Sequence, residues 1–284
     1  MTCNLRLSCY WLVLTLLLCS PVALAQEGKL IGTTGLAQLE GSGGGGLVPW
    51  ATLSGYDSRD QVSVSAVVTN VDVDDYRLSV LGISASFYDR LELSIAQQRF
   101  DLKDAGVSIK QNIYAAKYRL YGDVVYSYWP QVSLGLQHKR LADQAIASTL
   151  GAAHTASGTD FYLAATKVHL GAVAGYNALW NLTARATKAN EMGLLGFGGP
   201  VNDSYQVMVE ASVGVLLSRH ITIGIEYRQK PDNLRLGEGD WRDIFVRYTP
   251  EKAFSITLAW ANLGEIAGAD SQDGLYISLS GQLW

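Results

Sequence analysis

The sequence predicts an all-β fold, a transmembrane antiparallel up-and-down β-barrel of about 14 strands, or about 12 at the lower count. Three observations predict it. Hydrophobicity alternates with a period of two along most of the chain, the connections alternate between short and long, and an export leader precedes a chain that keeps no cysteine.

The leader comes first. Residues 1–25 carry one charge, Arg6, then an apolar run from Tyr10 to Cys19 and the small-residue pattern Ala23-Leu24-Ala25. That order is a secretory signal peptide with cleavage expected after Ala25, leaving 26–284 as one barrel domain. The apolar run is too short to span a bilayer. Leu18 stands where a lipoprotein site at Cys19 would need a small residue. Cys3, Cys9 and Cys19 all leave with the leader, so disulfides and thiolate metal sites are excluded from the mature domain.

Only 17% of the chain is charged, below the usual quarter for a soluble surface. The net charge of −4 becomes one unit more negative when Arg6 is lost, which gives no footing for nucleic acid. No stretch of the mature chain approaches the apolar length of a helical membrane span.

The strands follow in order. QVSVSAVV places Val62, Val64, Ala66 and Val68 on one face, and LELSIAQ does the same with Leu91, Leu93 and Ile95. QVSLGLQ aligns Val132, Leu134 and Leu136, and QVMVEASVGVL aligns Val207, Val209, Ala211, Val213 and Val215. ITIGIEY and FSITLAW continue through Ile221, Ile223, Ile225 and Tyr227, then Phe254, Ile256, Leu258 and Trp260. The register is unclear in KLIGTTGLAQLE, taken as the first strand, and the turn within 160–186 is not evident.

A soluble sandwich would alternate in the same way, so the opposite face decides. It carries Ser, Thr, Gly and Gln together with Glu92, Lys117, Arg119, Glu210, Glu226, Arg228, Asp243 and Arg247, the candidates for lining a wet lumen. Tyr88, Tyr118, Trp180, Tyr227, Tyr248 and Trp260 lie in or beside strands, where an interfacial girdle needs them. Short connections at 88–90, 218–220 and 250–252 alternate with long ones at 100–110, 141–159, 187–203, 231–240 and 263–274. This is the habit of outer-membrane barrels, with tight periplasmic turns and longer outer loops.

The chain ends LYISLSGQLW, with Leu275, Ile277, Leu279 and Leu283 on one face and Tyr276, Ser278, Ser280 and Gln282 on the other. A barrel has no free edge, so this strand is expected to pair with the first, beginning near Lys29. Trp284 is the candidate signal for the barrel assembly machinery, although Gln282, Ser280 and Ser278 replace the apolar residues usual before such a terminus.

GGGGLVPWA (43–51), VDVDDY (71–76), YDRLELSIAQQRFD (88–101), TKANEMGLLGFGG (187–199), EYRQKPDNL (226–234) and GLYISL (274–279) together resemble a family of proteobacterial outer-membrane proteins known only as a domain of unknown function. The resemblance runs from about Lys29 to the end and implies an exported barrel in the Gram-negative outer membrane. It implies no substrate, cofactor or catalytic residue.

The remaining motifs have weaker chemical readings. GSGGGG at 41–46 lacks the Lys-Ser or Lys-Thr and the helix of a phosphate loop, so a flexible outer loop is expected. GLLGFGG at 193–199 has no dinucleotide context, but its apolar residues can fold into the barrel mouth. Asp72, Asp74 and Asp75 cluster without EF-hand spacing. His138, His154, His169 and His220 form no metalloprotease motif. His154 with Ser148 or Ser157 is the one arrangement that could be forced into hydrolase chemistry, and composition alone supports it. Glu226, Arg228, Lys230 and Asp232 read equally as a selectivity cluster or a structural ion-pair network.

The sequence thus points to a non-enzymatic barrel without cofactor or metal, a passive channel for small solutes. A closed structural or adhesive barrel and a lipid-modifying enzyme are the alternatives. The partners expected are outer-membrane lipids, lipopolysaccharide, the assembly machinery and a small solute.

Overall fold

The computed structural model describes residues 29–152 and 155–283. The leader, its cleavage after Ala25, His154 and Trp284 lie outside the described residues. Among those described, twelve strands close into an antiparallel barrel in which each strand pairs with its neighbours in sequence and the last pairs with the first. They are β1 (Val62–Val73), β2 (Tyr76–Phe87), β3 (Leu91–Leu102), β4 (Val107–Tyr121), β5 (Gln131–Leu141), β6 (Ser157–Val173), β7 (Tyr176–Thr187), β8 (Gln206–Leu216), β9 (Ile221–Arg228), β10 (Trp241–Glu251), β11 (Phe254–Asn262) and β12 (Asp273–Gln282). A short helix, α1 (Ala145–Thr149), and a 3-10 turn at Asn190–Gly193 sit in connections.

The larger expected strand count is corrected to the lower one, and the reason is residues 31–57. They form no strand of the wall and lie buried inside the barrel. The terminal strand accordingly closes on β1, with Val68 opposite Leu279 and Asn70 opposite Ile277, and not on a strand near Lys29. The glycine run at 41–46 is likewise no outer loop but part of the buried segment.

Alternation built the wall as physical chemistry requires. Outward positions such as Leu93, Ile95, Leu134, Val213, Ile225, Ile244 and Leu258 are exposed, as a lipid-facing band must be. Tyr88, Tyr118 and Tyr248 ring one end and Trp260 stands near the other, which matches two interfacial belts. No described helix is long and apolar enough to cross a membrane; the strands span it. This is an outer-membrane type of β-barrel.

Connections divide by end. At the base, where residues 29 and 283 lie, Val173 pairs with Tyr176 across a two-residue turn. Ala174 and Gly175 there adopt positive φ, as a tight hairpin demands. The connection 122–130 is the longest at this end. The mouth carries 142–156, 188–205, 229–240 and 263–272.

Candidate functional site

The interior is filled from both ends. From the base, residues 31–57 rise into the lumen and return, held in a compact loop by Gln38 N–H donating to Ser42 O (2.9 Å), Leu39 N–H to Gly46 O (3.0 Å) and Gly45 N–H to Val48 O (2.9 Å). We refer to this segment as the plug. From the mouth, Met192, Leu194, Leu195 and Phe197 fold inward and are buried, as the apolar character of GLLGFGG allowed. Glu191 and Met192 there hold left-handed backbone, a strained conformation for residues with a Cβ. A chain of amides joins the two fillings: Gln98 donates to Leu39 O (2.9 Å), and Gln111 donates to Gln98 Oε1 (2.9 Å) and Met192 O (3.1 Å).

The centre is a cluster of six charges around Glu40 of the plug. Its carboxylate pairs with Lys139 of β5, with Arg185 of β7 (3.1 Å) and with Arg228 of β9 (3.1 Å). Two wall acids share these cations. Glu210 Oε1 meets Arg185 Nε at 2.6 Å and Arg228 Nε at 3.3 Å, while Asp160 takes Lys139 at 2.5 Å and Arg185 at 3.3 Å. Three cations and three acids alternate, so each charge removed from water is offset by neighbours of opposite sign. Arg185 also lies over the Tyr162 ring, 5.6 Å from its centroid.

Below the cluster the wall binds plug backbone. Glu226 accepts from Gly46 N and Leu47 N at 2.6 Å each, from Ser212 Oγ at 2.6 Å and from Trp50 Nε1 at 3.3 Å. Glu92 accepts from Gly43 N (2.8 Å) and Ser54 N (2.5 Å), and Lys117 donates to Gly43 O and to Thr52 O (2.9 Å). Glycine is required at this approach: a Cβ on Gly45 would lie 1.9 Å from Glu226 Oε1. Arg247 donates to Gly32 O (3.1 Å) and Thr34 O (2.8 Å).

All eight residues read from the sequence as lumen candidates are buried inside the barrel, and six of them meet the plug or the central cluster. Glu210 and Arg228 join the central cluster, Glu92, Lys117, Glu226 and Arg247 bind plug atoms, and Arg119 serves the base by pairing with Asp89 and donating to Gly122 O. Asp243 faces Glu226 across β9 and β10, and neither of its carboxylate oxygens has a hydrogen-bond partner among the described residues. The plug and the inward-folded mouth residues thus occupy the lumen that these side chains line.

Glu40, Lys139, Asp160 and Arg185, the heart of the cluster, went unread in the sequence. Lys139 had a usable signal, because continuing the β5 alternation two residues past Gln137 places it on the inward face. Glu40 had none, since its segment follows no period.

At the mouth, Lys230 pairs with Glu191 and with Glu238 (3.1 Å) and donates to Glu265 O (2.9 Å), drawing three outer connections together. Burial pushes the Glu191 carboxyl well above the usual carboxylate range, Lys230 notwithstanding, and its bond to Glu238 adds to that. Burial also opposes ionisation of Glu238, but Glu191 and Lys230 outweigh it and hold that carboxyl low. Asp232 accepts from Leu236 N (3.0 Å) and shapes the same connection.

The other motifs have structural partners. Asp72 pairs with Arg77 (2.5 Å) and Lys103 (2.6 Å), and Asp75 accepts from Gln272 (2.8 Å). Ser148 lies in α1 and Ser157 opens β6. No group of His, Cys, Asp and Glu among the described residues is arranged to hold a metal.

Comparison with known proteins gives one family and a set of distant shapes. The family described as "Protein of unknown function (DUF3034)" matches residues 33–280. No curated protein matches in sequence. Among solved structures the barrel is similar to a KdgM porin, with 11% identity over 76% of this chain and 98% of that one at a TM-score of 0.47. It is also similar to the outer membrane protein Omp33 of Acinetobacter baumannii, with 7% identity over 79% and 100% at 0.47. Outer membrane phospholipase A from Escherichia coli is similar at 6% identity over 78% and 92%, with a TM-score of 0.37.

Proposed function

The chain belongs to the DUF3034 family, and from that footing we propose that it is an outer-membrane channel closed by its own N-terminal segment, which passes a small solute when the segment shifts. The observation that carries this reading is the chemistry of the wall beneath the plug. Lys117, Lys139, Arg185, Arg228 and Arg247, with Glu92, Asp160, Glu210, Glu226 and Asp243, project inward from the strands. A barrel meant only to be solid has no need of so many ionic side chains, which a water-filled path does use.

The plug is attached by hydrogen bonds, ion pairs and the apolar contacts of Leu36, Leu39, Leu47, Val48 and Trp50, with no covalent link beyond its own chain. Withdrawing Glu40 leaves Lys139, Arg185 and Arg228 facing only Asp160 and Glu210, a net positive constriction. The open state accordingly favours small anions. The reading is of a channel and not an enzyme. A permanently closed barrel is the second reading, favoured by the three ion pairs that Glu40 alone makes.

Bilayer recording with a reversible tether separates the two. Ser133 Oγ donates to Ala51 O at 2.6 Å, which sets plug and wall side by side there, and the double variant Ala51→Cys/Ser133→Cys, its disulfide verified by mass, supplies the tether. The channel reading expects openings in the reduced protein, silence on oxidation and recovery with reductant. Silence of both forms, and of Glu40→Ala as well, would establish the closed barrel instead.

A further inference from the structure

Two features of the outward wall play no part in the lumen. The first is a groove of about 540 Å³ on the lipid-facing side of β1 to β5, walled by Val64, Ile83, Leu93, Ile95, Tyr114 and Leu136. Its floor is low because Ala85 and Ala116 stand where the neighbouring outward positions carry large side chains. The second lies directly above it along the same strands, toward the mouth. Ladder register places Ile95 beside Tyr114, then Gln97 beside Asn112 and Arg140, then Arg99 opposite Lys110. Lys110 and Arg140 are exposed, and neither side chain has an ion-pair partner among the described residues. Arg99 is held by Asp101 at 2.6 Å, and Gln97 donates to Asn112 Oδ1 at 3.2 Å.

Asp101 answers the charge of Arg99, which leaves Lys110, opposite Arg99, and Arg140, beside Asn112, as the cations of this face without an acid. On a membrane-spanning wall such cations also lose part of their water, which raises the demand for a counter-charge. The order is that of an amphiphile: an apolar trough at membrane depth, an amide rung, then cations at headgroup level. The cations sit toward the mouth, where the long connections lie, and so belong to the outer leaflet.

We infer that this face binds one lipopolysaccharide molecule, with an acyl chain in the trough and the phosphates of its lipid A on Lys110 and Arg140. Outer-leaflet position and unpaired cations select this lipid over a phospholipid. Charge-assisted bonds to phosphate hold the headgroup, while the groove supplies shape.

Binding of purified, folded protein to bisphosphorylated lipid A in neutral detergent, followed by native mass spectrometry, tests the assignment. Heat-dependent gel migration confirms that each variant remains a barrel. Lys110→Gln/Arg140→Gln is expected to bind about tenfold more weakly or worse, and Ala116→Trp, which fills the trough without touching charge, to bind more weakly too. Arg242→Gln, an exposed cation on β10, is expected to bind as wild type. Wild-type affinity in the double variant would overturn the site. So would equal affinity for dephosphorylated lipid A or for phosphatidylglycerol.

Discussion

Glu210 of β8 lies directly opposite Arg228 of β9, and its Oε1 is shared between Arg228 Nε at 3.3 Å and Arg185 Nε at 2.6 Å. One oxygen thus joins three strands, β7, β8 and β9, and through the two arginines reaches Glu40 of the plug. Removing a member of such a network exposes the rest to an unbalanced charge. Arg228→Ala leaves Glu40 and Glu210 short of a cation and is expected to lower barrel stability by roughly 3 to 5 kcal/mol. Thermal unfolding followed by gel migration measures it, and a variant that melts with wild type would contradict the network.

Shape governs the next expectation. Gly45→Ala pushes a methyl into the Glu226 carboxylate, which already holds two plug amides and Ser212. Overpacking of this kind costs about 1 to 3 kcal/mol. Because the strain falls on the plug and not on the ladder, the barrel should still form while the plug becomes sensitive to protease. Unchanged proteolysis of residues 31–57 would show that the approach is looser than its geometry.

The two faces of β8 should respond differently to the same substitution. Val213 is outward and exposed, so Val213→Arg is expected to cost roughly 2 to 4 kcal/mol and to reduce insertion. Ser212 is inward, buried and bonded to Trp50 and Glu226. An alternating sequence alone suggests that Ser212→Arg is tolerated, but with the lumen filled it should insert normally and expel the plug. Folded yield and plug proteolysis, measured side by side, distinguish the two effects.

The mouth should depend on pH. Glu191 binds its proton more tightly in the folded connections than in free chain, so its contribution is present at low pH and is lost as pH rises through its raised pKa. Glu238 has the opposite sign and weakens the mouth only at acidity below the ordinary carboxylate range. As pH rises above the ordinary carboxylate range, amide exchange in 188–205, corrected for its intrinsic rate, should therefore accelerate, and Glu191→Gln should flatten the trend. An unchanged pH trend in Glu191→Gln would place the effect elsewhere.

What could be read from the sequence follows from which face of each segment meets lipid. In β8, β9 and β11 one face must be apolar and the other need not be, so Val209, Ile223 and Leu258 announce their side without knowledge of partners. Even the pairing of Glu210 with Arg228 could be counted from the turn at 218–220. The plug is different. Glu40 has partners 145 and 188 residues away, and no local period records an interaction of that range. Its glycines, read as loop flexibility, in fact serve close approach to Glu226 and Glu92. The β6–β7 turn was hidden for a third reason. Residues 169–173 of β6 are exposed on both faces, so alternation fades before the turn arrives.

The plug also contains a chromophore of the right kind in the right place. Trp50 is buried inside the lumen, with its indole nitrogen 2.9 Å from Ser212 Oγ, while Trp129 is exposed in the base connection and Trp260 on the outward wall. Emission from an indole shifts to longer wavelength when water reaches it. The difference spectrum between wild type and Trp50→Phe therefore isolates a single emitter on the plug, so water reaching that segment can be followed optically in intact vesicles without attaching any label.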